Sequence, residues 1–293
     1  MSQLRKAASR GSMVMRTNPT LERPDLVELG SDRLSSLEKA QIRFIRHTFE
    51  SEPLDRAVRI CQRFVGSRWI TYCTDRLTQL HGVERVPRLR SEESVICVAN
   101  HRSFFDLYIV TANLVRLGLQ QRIIFPVRSE FFYDKPLGFV VNGAMSFFAM
   151  YPPIFRERSR AALNLASLDE LAYRLTCGGT FVGIHPEGTR KKDDDPYTFL
   201  PAQSGVGRVI HKAGVRVLPV FINGLINDIA LQVKSNFDGT GAPIHIVFGE
   251  PLDVDDLLAK PGSPKTYKAI AERCLETIGQ LGQEEKAIRE RIR

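Results

Sequence analysis

Three short stretches of this 293-residue chain combine the residue types that proton transfer and anion binding require. The first, Asn100-His101-Arg102-Ser103-Phe104-Phe105-Asp106, directly follows the apolar run Ser94–Ala99. Imidazole titrates near pH 6.5 and is suited to take a proton from a hydroxyl at neutral pH. On one continuous helix His101 and Asp106 would not share a face. If Ser103 caps a helix, Asp106 falls at its third position. Helical side chains lean toward the N-terminus, so the carboxylate then reaches back to the loop histidine. So placed, it can hold the ring as the acid of a His–Asp pair does. The spacing Ser103-x-x-Asp106 is also close to that of a capping box, which would account for the aspartate without chemistry.

The second stretch, His185-Pro186-Glu187-Gly188-Thr189-Arg190, also follows an apolar run, Thr180–Ile184. Pro-Glu-Gly-Thr is turn chemistry. Such a turn can bring backbone N–H groups to an oxyanion, with Arg190 offering a planar fork to a phosphate. The third is Phe155-Arg156-Glu157-Arg158, whose arginines are either a solvated helix start or a phosphate clamp. A fourth feature, Val217-Leu218-Pro219-Val220, places a proline inside an apolar run and suggests a sheet edge or a strand end.

These stretches must be held by something regular. Six apolar runs read as strands: Ser94–Ala99, Arg122–Val127, Ser146–Tyr151, Thr180–His185, Arg216–Ile222 and Ile244–Phe248. Between them lie helical patterns near Phe104–Leu117, Arg158–Leu175 and Gln203–Ala213. Near-continuous apolar strands alternating with helices predict an α/β fold, a mostly parallel or mixed sheet covered by helices on both faces. In such sheets ligands bind beyond the carboxyl ends of the strands, where the three stretches lie. Upstream, residues 1–30 read as a loose polar tail. Residues 31–82 read as N-terminal amphipathic helices, the first capped by Ser31, the second opening at Pro53 with an apolar stripe continuing to Leu80. Residues 83–293 read as the catalytic domain with a C-terminal helix.

The net charge of +8, with a pI near 9.4, calls for anionic partners. No zinc-finger spacing, RNP-like run or helix-turn-helix signature is present, so nucleic acid is not expected. The arginine-decorated helix from Pro53 could lie on an anionic membrane, or could pack on the core with a solvated arginine face. Five cysteines with no C-x-x-C pair argue against a disulfide framework or a structural zinc site and fit a cytoplasmic compartment. Met1–Arg16 is basic but lacks the apolar core of a signal peptide. Pro136–Phe155 is uncharged and long enough to span a bilayer, yet its prolines, glycines and Asn142 suit a helix, a turn and a strand better. A protein docked on the inner face of a membrane, not crossing it, is the expectation.

In order and separation the four stretches resemble the motif blocks of the glycerolipid acyltransferases, which comprise the 1-acylglycerol-3-phosphate and glycerol-3-phosphate acyltransferases. His101 to Asp106 is similar to that family's N-H-x-x-x-x-D block. Pro186 to Arg190 is similar to its P-E-G-T-R block, the most specific of the four. Phe155 and Arg158 match its G-x-x-F-x-x-R block, and Val217 to Val220 resembles its V-x-P-V block. Phe248 to Leu252 resembles an element that commonly follows. The resemblance spans about residues 83–256. It departs at Pro152, where the family usually has glycine, and at His185, where it usually has phenylalanine.

The resemblance implies a role in phospholipid biosynthesis: transfer of a fatty acyl chain from an acyl-CoA or acyl-carrier-protein thioester to a hydroxyl of a lysophospholipid. His101 would be the general base and Asp106 its orienting partner. Gly188 and its neighbours would donate to the oxyanion, while Phe155, Arg158, Glu187, Thr189 and Arg190 would hold the phosphorylated acceptor. A thiolate leaving group, with thiol pKa about 8.5, needs little protonation, so no metal, cofactor or acyl-enzyme is required. The sequence has no G-x-S-x-G elbow, P-loop or G-x-G-x-x-G. The competing reading is a basic lipid-binding protein of the same fold without turnover. Glycerol-3-phosphate or another lyso-lipid is the alternative acceptor.

Overall fold

The computed structural model describes residues 21–292. Residues 1–20 of the expected tail lie outside the described residues, and the remainder is not loose. Leu26–Leu29 form a helical turn (α1) capped by Asp25, whose carboxylate accepts from the N–H groups of Val27 (3.0 Å) and Glu28 (3.2 Å). Burial of Leu26 and Val27 is what ties this segment down. Helix α2 (Ser36–Glu50) is capped by Ser35, not the expected Ser31. Only Ser35 has a glutamate three positions on, and Ser35 and Glu38 exchange both bonds of a capping box.

Helix α3 (Glu52–Ile60) passes through a π-helical segment, Cys61–Gly66, into α4 (Ser67–Tyr72). The helix expected to reach Leu80 therefore stops early. Thr78–His81 is strand β1, paired in parallel with Ile244–Val247. A four-residue stretch carries too little periodicity to separate strand from helix end. The chain continues through β2 (Val95–Ala99), α5 (Asp106–Arg116), β3 (Arg122–Arg128), α6 (Ser129–Phe132), α7 (Pro136–Ser146) and β4 (Met150–Ile154). After a 3₁₀ turn at Arg158–Arg160 come α8 (Ala161–Thr176), β5 (Thr180–Ile184), α9 (Ser204–Ala213), β6 (Arg216–Asn223), α10 (Ile229–Asp238) and β7 (Ile244–Phe248). Helices α11 (Asp255–Leu258) and α12 (Pro264–Ile292) close the described chain.

The seven strands form one mixed sheet in the order β1-β7-β6-β2-β5-β3-β4, with β7 antiparallel to β6 and every other pair parallel. Within β2, Val95, Cys97 and Ala99 face one apolar layer with α1, α2 and α5, while Ile96 and Val98 face the other with α8, α9 and α12. The period of two in an all-apolar strand is thus resolved by helices on both faces, as the sequence predicts.

The Ser146–Tyr151 strand is displaced: α7 runs through Ser146, Phe147 and Phe148 turn the chain at φ of 49° and 60°, and β4 begins at Met150. Pro136–Phe155 is therefore a helix, a turn and a strand. Among the described residues no helix is long and apolar enough to cross a membrane.

Pro219 is not at an edge, because β6 pairs with both β2 and β7. Its carbonyl accepts from Gly249 N–H (3.0 Å) just past β7, so the missing N–H falls on the side where the β7 ladder has already ended.

The helices before residue 82 share the core with the strands. Ile42 and Ile45 are fully buried in the same cluster as β2 and β7 residues. The buried Arg122 of β3 donates to Thr48 O (2.7 Å) and to the Asp55 carboxylate (2.8 Å), its guanidinium lying 3.5 Å from the Phe49 ring centre.

Candidate active site

Strands β2 and β5 are parallel neighbours with Val98 opposite Ile184, so the residues that follow them emerge at one level on the same rim. Asn100 seals the adjoining seam: its side-chain amide donates to Ile222 O and accepts from Ile222 N, both at 2.8 Å. His101 comes next, and His185 follows β5. Their rings stack with centroids 3.8 Å apart and planes 5° from parallel.

The expected His–Asp pair is present. His101 Nδ1 lies 3.3 Å from Asp106 Oδ2. The same oxygen accepts from the backbone N–H groups of Arg102 (2.7 Å) and Ser103 (2.8 Å). The capping reading needs correction. Helix α5 begins at Asp106 itself after Phe105, and Ser103 Oγ accepts from Phe105 N–H at 3.2 Å in a local turn. Asp106 thus ties the loop and the imidazole together from the first helical position.

A carboxylate only accepts, so Nδ1 of His101 carries the hydrogen and Nε2 keeps a lone pair. Burial, and then the charge of Arg190, pulls the imidazole well below its ordinary pKa, leaving it neutral at pH 7. Burial pushes the Asp106 carboxyl up to about 6, against the pull of His185, of the two amides and of Arg190, so it is still ionised at pH 7.

The turn after β5 does not divide its labour as expected. Glu187 is buried, and its two carboxylate oxygens accept from the N–H groups of His101 and Leu200, each at 2.8 Å. It faces the scaffold and positions the His101 loop, leaving neither oxygen aimed at an acceptor. Gly188 sits at φ +67°, and its N–H is taken by His185 O (3.0 Å), so it is not the oxyanion donor. Within the turn, the amides of Thr189 and Arg190 have no protein acceptor among the described residues. Thr189 Oγ1 accepts from Arg128 (2.8 Å), and Arg190 donates to Asn227 Oδ1.

Phe155 is buried at the end of β4, its backbone held by Asn164 through two 2.7 Å bonds, so it cannot touch a substrate. Arg158 is exposed on the same rim, but β4 lies three strands from β2, about 14 Å at ordinary strand spacing.

Two residues went unnoticed in the sequence. Arg128 ends β3 as His101 follows β2, and a polar residue closing an apolar run was the available signal. Asn227 accepts from Phe104 N–H (3.2 Å) as well as from Arg190, linking both motif loops, and no local pattern marks it. Beside the pair, Phe104 and Phe105 enter the wall of a small apolar crevice of about 40 Å³, which Trp69, Tyr108, Met145 and Ile229 complete.

His101, Asp106 and His185 bring potential ligand atoms within 4.8 Å of one another. The rings lie in nearly parallel planes 3.8 Å apart, so their in-plane lone pairs do not converge on one ion, and both Nδ1 atoms already have partners. His101 and Asp106 are held instead as a hydrogen-bonded pair.

Residues 78–223, from β1 to the end of β6, match the acyltransferase family. The chain belongs to that family. Among solved structures, this acyltransferase is similar to the 1-acyl-sn-glycerophosphate (LPA) acyltransferase PlsC from Thermotoga maritima. The alignment covers 83% of this chain and 88% of that one, at 24% identity and a TM-score of 0.52, a likeness of fold. No curated protein matches the acyltransferase significantly. The matched region contains every motif residue named above except those after β6.

Proposed function

We propose that this acyltransferase moves a fatty acyl chain from a thioester to the free hydroxyl of a lysophospholipid of the 1-acylglycerol-3-phosphate type, with His101 as general base. The observation that carries this reading is the neutral imidazole held through Nδ1 by Asp106, its Nε2 lone pair free, on a rim that also bears Arg190 and Arg128. His101 Nε2 takes the hydroxyl proton as the oxygen attacks the thioester carbonyl. The tetrahedral oxyanion is met by the Thr189 and Arg190 amides. Its collapse breaks the C–S bond, and the thiolate can take the proton back from the imidazolium. Arg190 and Arg128 hold the acceptor phosphate, with Arg158 reaching in from the flank. Phe104, Phe105 and the apolar side chains around their crevice offer the acyl chain an apolar surface next to the base. Coenzyme A and acyl carrier protein supply the same reacting thioester, and both remain candidate donors.

Docking on a membrane from one side fits the surface around that crevice. The α3–α4 helix buries Val58 and Ile70 in the fold yet exposes Ile60, Phe64, Val65 and Tyr72, and α7 beside it exposes Leu137 and Val140. Arg56 and Arg68 lie exposed among them, and each basic residue near an anionic surface contributes about 1 kcal/mol.

The test is thioester consumption by the purified enzyme over a panel of phosphorylated and unphosphorylated acceptors, with CoA and carrier-protein donors and lipid mass spectrometry. His101→Ala should lower turnover by about 10²–10⁴-fold while leaving the far-UV spectrum unchanged. Absence of thioester consumption by the wild-type protein with every acceptor would favour the lipid-binding reading. Near-normal turnover of His101→Ala would refute the base.

A further inference from the structure

We infer that His185 is a positioning residue that fixes the plane of the His101 imidazole, a role that rests on His101 being the base. One hydrogen bond of 3.3 Å to Asp106 sets the direction of His101 Nδ1 but leaves the ring free to roll about that line. The missing restraint is a face contact. The His185 ring lies 3.8 Å from that of His101 and within 5° of parallel.

His185 is itself pinned: its Nδ1–H donates to Ala99 O at 2.9 Å. Ala99 ends β2 two residues before His101. Both rings are therefore referenced to one strand end, and the Nε2 lone pair of His101 is held in one direction. A reacting group displaced by about 1 Å can lose 10²-fold in rate, so such a restraint has kinetic weight.

The stack also keeps water from one face of His101. The charged groups around this imidazole are Asp106 from α5, Arg102 from its own loop, and Glu187 and Arg190 from the β5 turn. Arg102 is engaged by Asp193, and Glu187 by two amides, so neither turns its charge to the ring. Burial therefore dominates the imidazole's basicity, and His185 contributes to that burial. Removing its ring should hydrate the imidazolium and raise its pKa toward the ordinary value of about 6.5.

The experiment compares His185→Ala and His185→Phe with wild type in the full chain. It reads kcat/KM against pH, together with the NMR titration of the His101 ring, assigned by its loss in His101→Ala. His185→Ala should lose about 10–100-fold in kcat. Its acid limb and the His101 titration should both move to higher pH. His185→Phe keeps a flat ring at the same place without the Nδ1–H bond, and should restore the acid limb and most of the kcat. If His185→Ala keeps the wild-type His101 titration, or if Phe rescues neither quantity, the inference is overturned. Because NMR follows the ring whether or not it is the base, a failure of the base assignment would appear separately, as turnover retained in His101→Ala.

Discussion

Asp106→Asn separates what the buried carboxylate does for chemistry from what it costs the fold. Burial raises the Asp106 carboxyl from 3.8 to about 6. A folded-state pKa above the unfolded one means that the native state holds the proton more tightly. The stability linked to this group is full below pH 3.8 and is lost as pH rises through about 6. At pH 7 the two-unit difference costs the wild-type fold about 3 kcal/mol. Asparagine keeps an oxygen for the Arg102 and Ser103 amides and removes the charge. Asp106 Oδ1 is buried with no hydrogen-bond partner, so an amide nitrogen placed there gives up no existing bond. Its own unpaired N–H offsets about 1 kcal/mol. The variant should therefore be more stable than wild type by about 2 kcal/mol at pH 7, an advantage gone by about pH 4. Turnover should fall by about 10²–10⁴-fold, because the imidazolium formed during the reaction loses its counter-charge. Urea unfolding at the two pH values, beside steady-state turnover at pH 7, checks both arms. A variant less stable than wild type at pH 7, a difference independent of pH, or turnover within a few-fold of wild type would refute the reasoning.

Glu187→Gln leaves one oxygen for two backbone N–H groups that now each have their own, and should cost about 1.5–3 kcal/mol in stability while lowering kcat and sparing the acceptor's KM. A raised KM at unchanged stability would return Glu187 to the acceptor site. Arg190→Ala should raise the acceptor's KM more than Arg158→Ala does, because β4 lies three strands from β2; equal effects in substrate-saturation curves would place the phosphate nearer β4. Phe64→Ser with Val65→Ser should weaken cosedimentation with anionic vesicles while leaving turnover on a detergent-dispersed acceptor intact, and unchanged cosedimentation would rule out the α3–α4 surface. Deleting residues 1–80 cannot serve this purpose, since Leu26, Ile42 and Ile45 are core and Thr78–His81 is a strand.

Apolar runs about five residues long, punctuated by helical periodicity, suffice to specify a sheet covered on both faces, because burial on two sides leaves few polar positions in a strand. The reactive stretches could be placed for the same reason: His101 and His185 each follow such a run, where a parallel sheet opens to solvent. Local chemistry also marks Asp106 as a partner for His101, five residues away. What it cannot mark is partnership across the chain. Glu187 holds the His101 amide and His185 the Ala99 carbonyl from 86 positions away, and a Pro-Glu-Gly-Thr turn looks the same whether its glutamate faces a ligand or the scaffold. Pro219 reads as an edge residue until the antiparallel β7 is seen to end beside it. Thr78–His81 reads as the tail of a helix until Ile244–Val247 comes alongside. In each case at least one partner of the deciding hydrogen bond is a backbone group that every residue carries, so the pairing is settled by the packing of the whole sheet and not by local side-chain pattern.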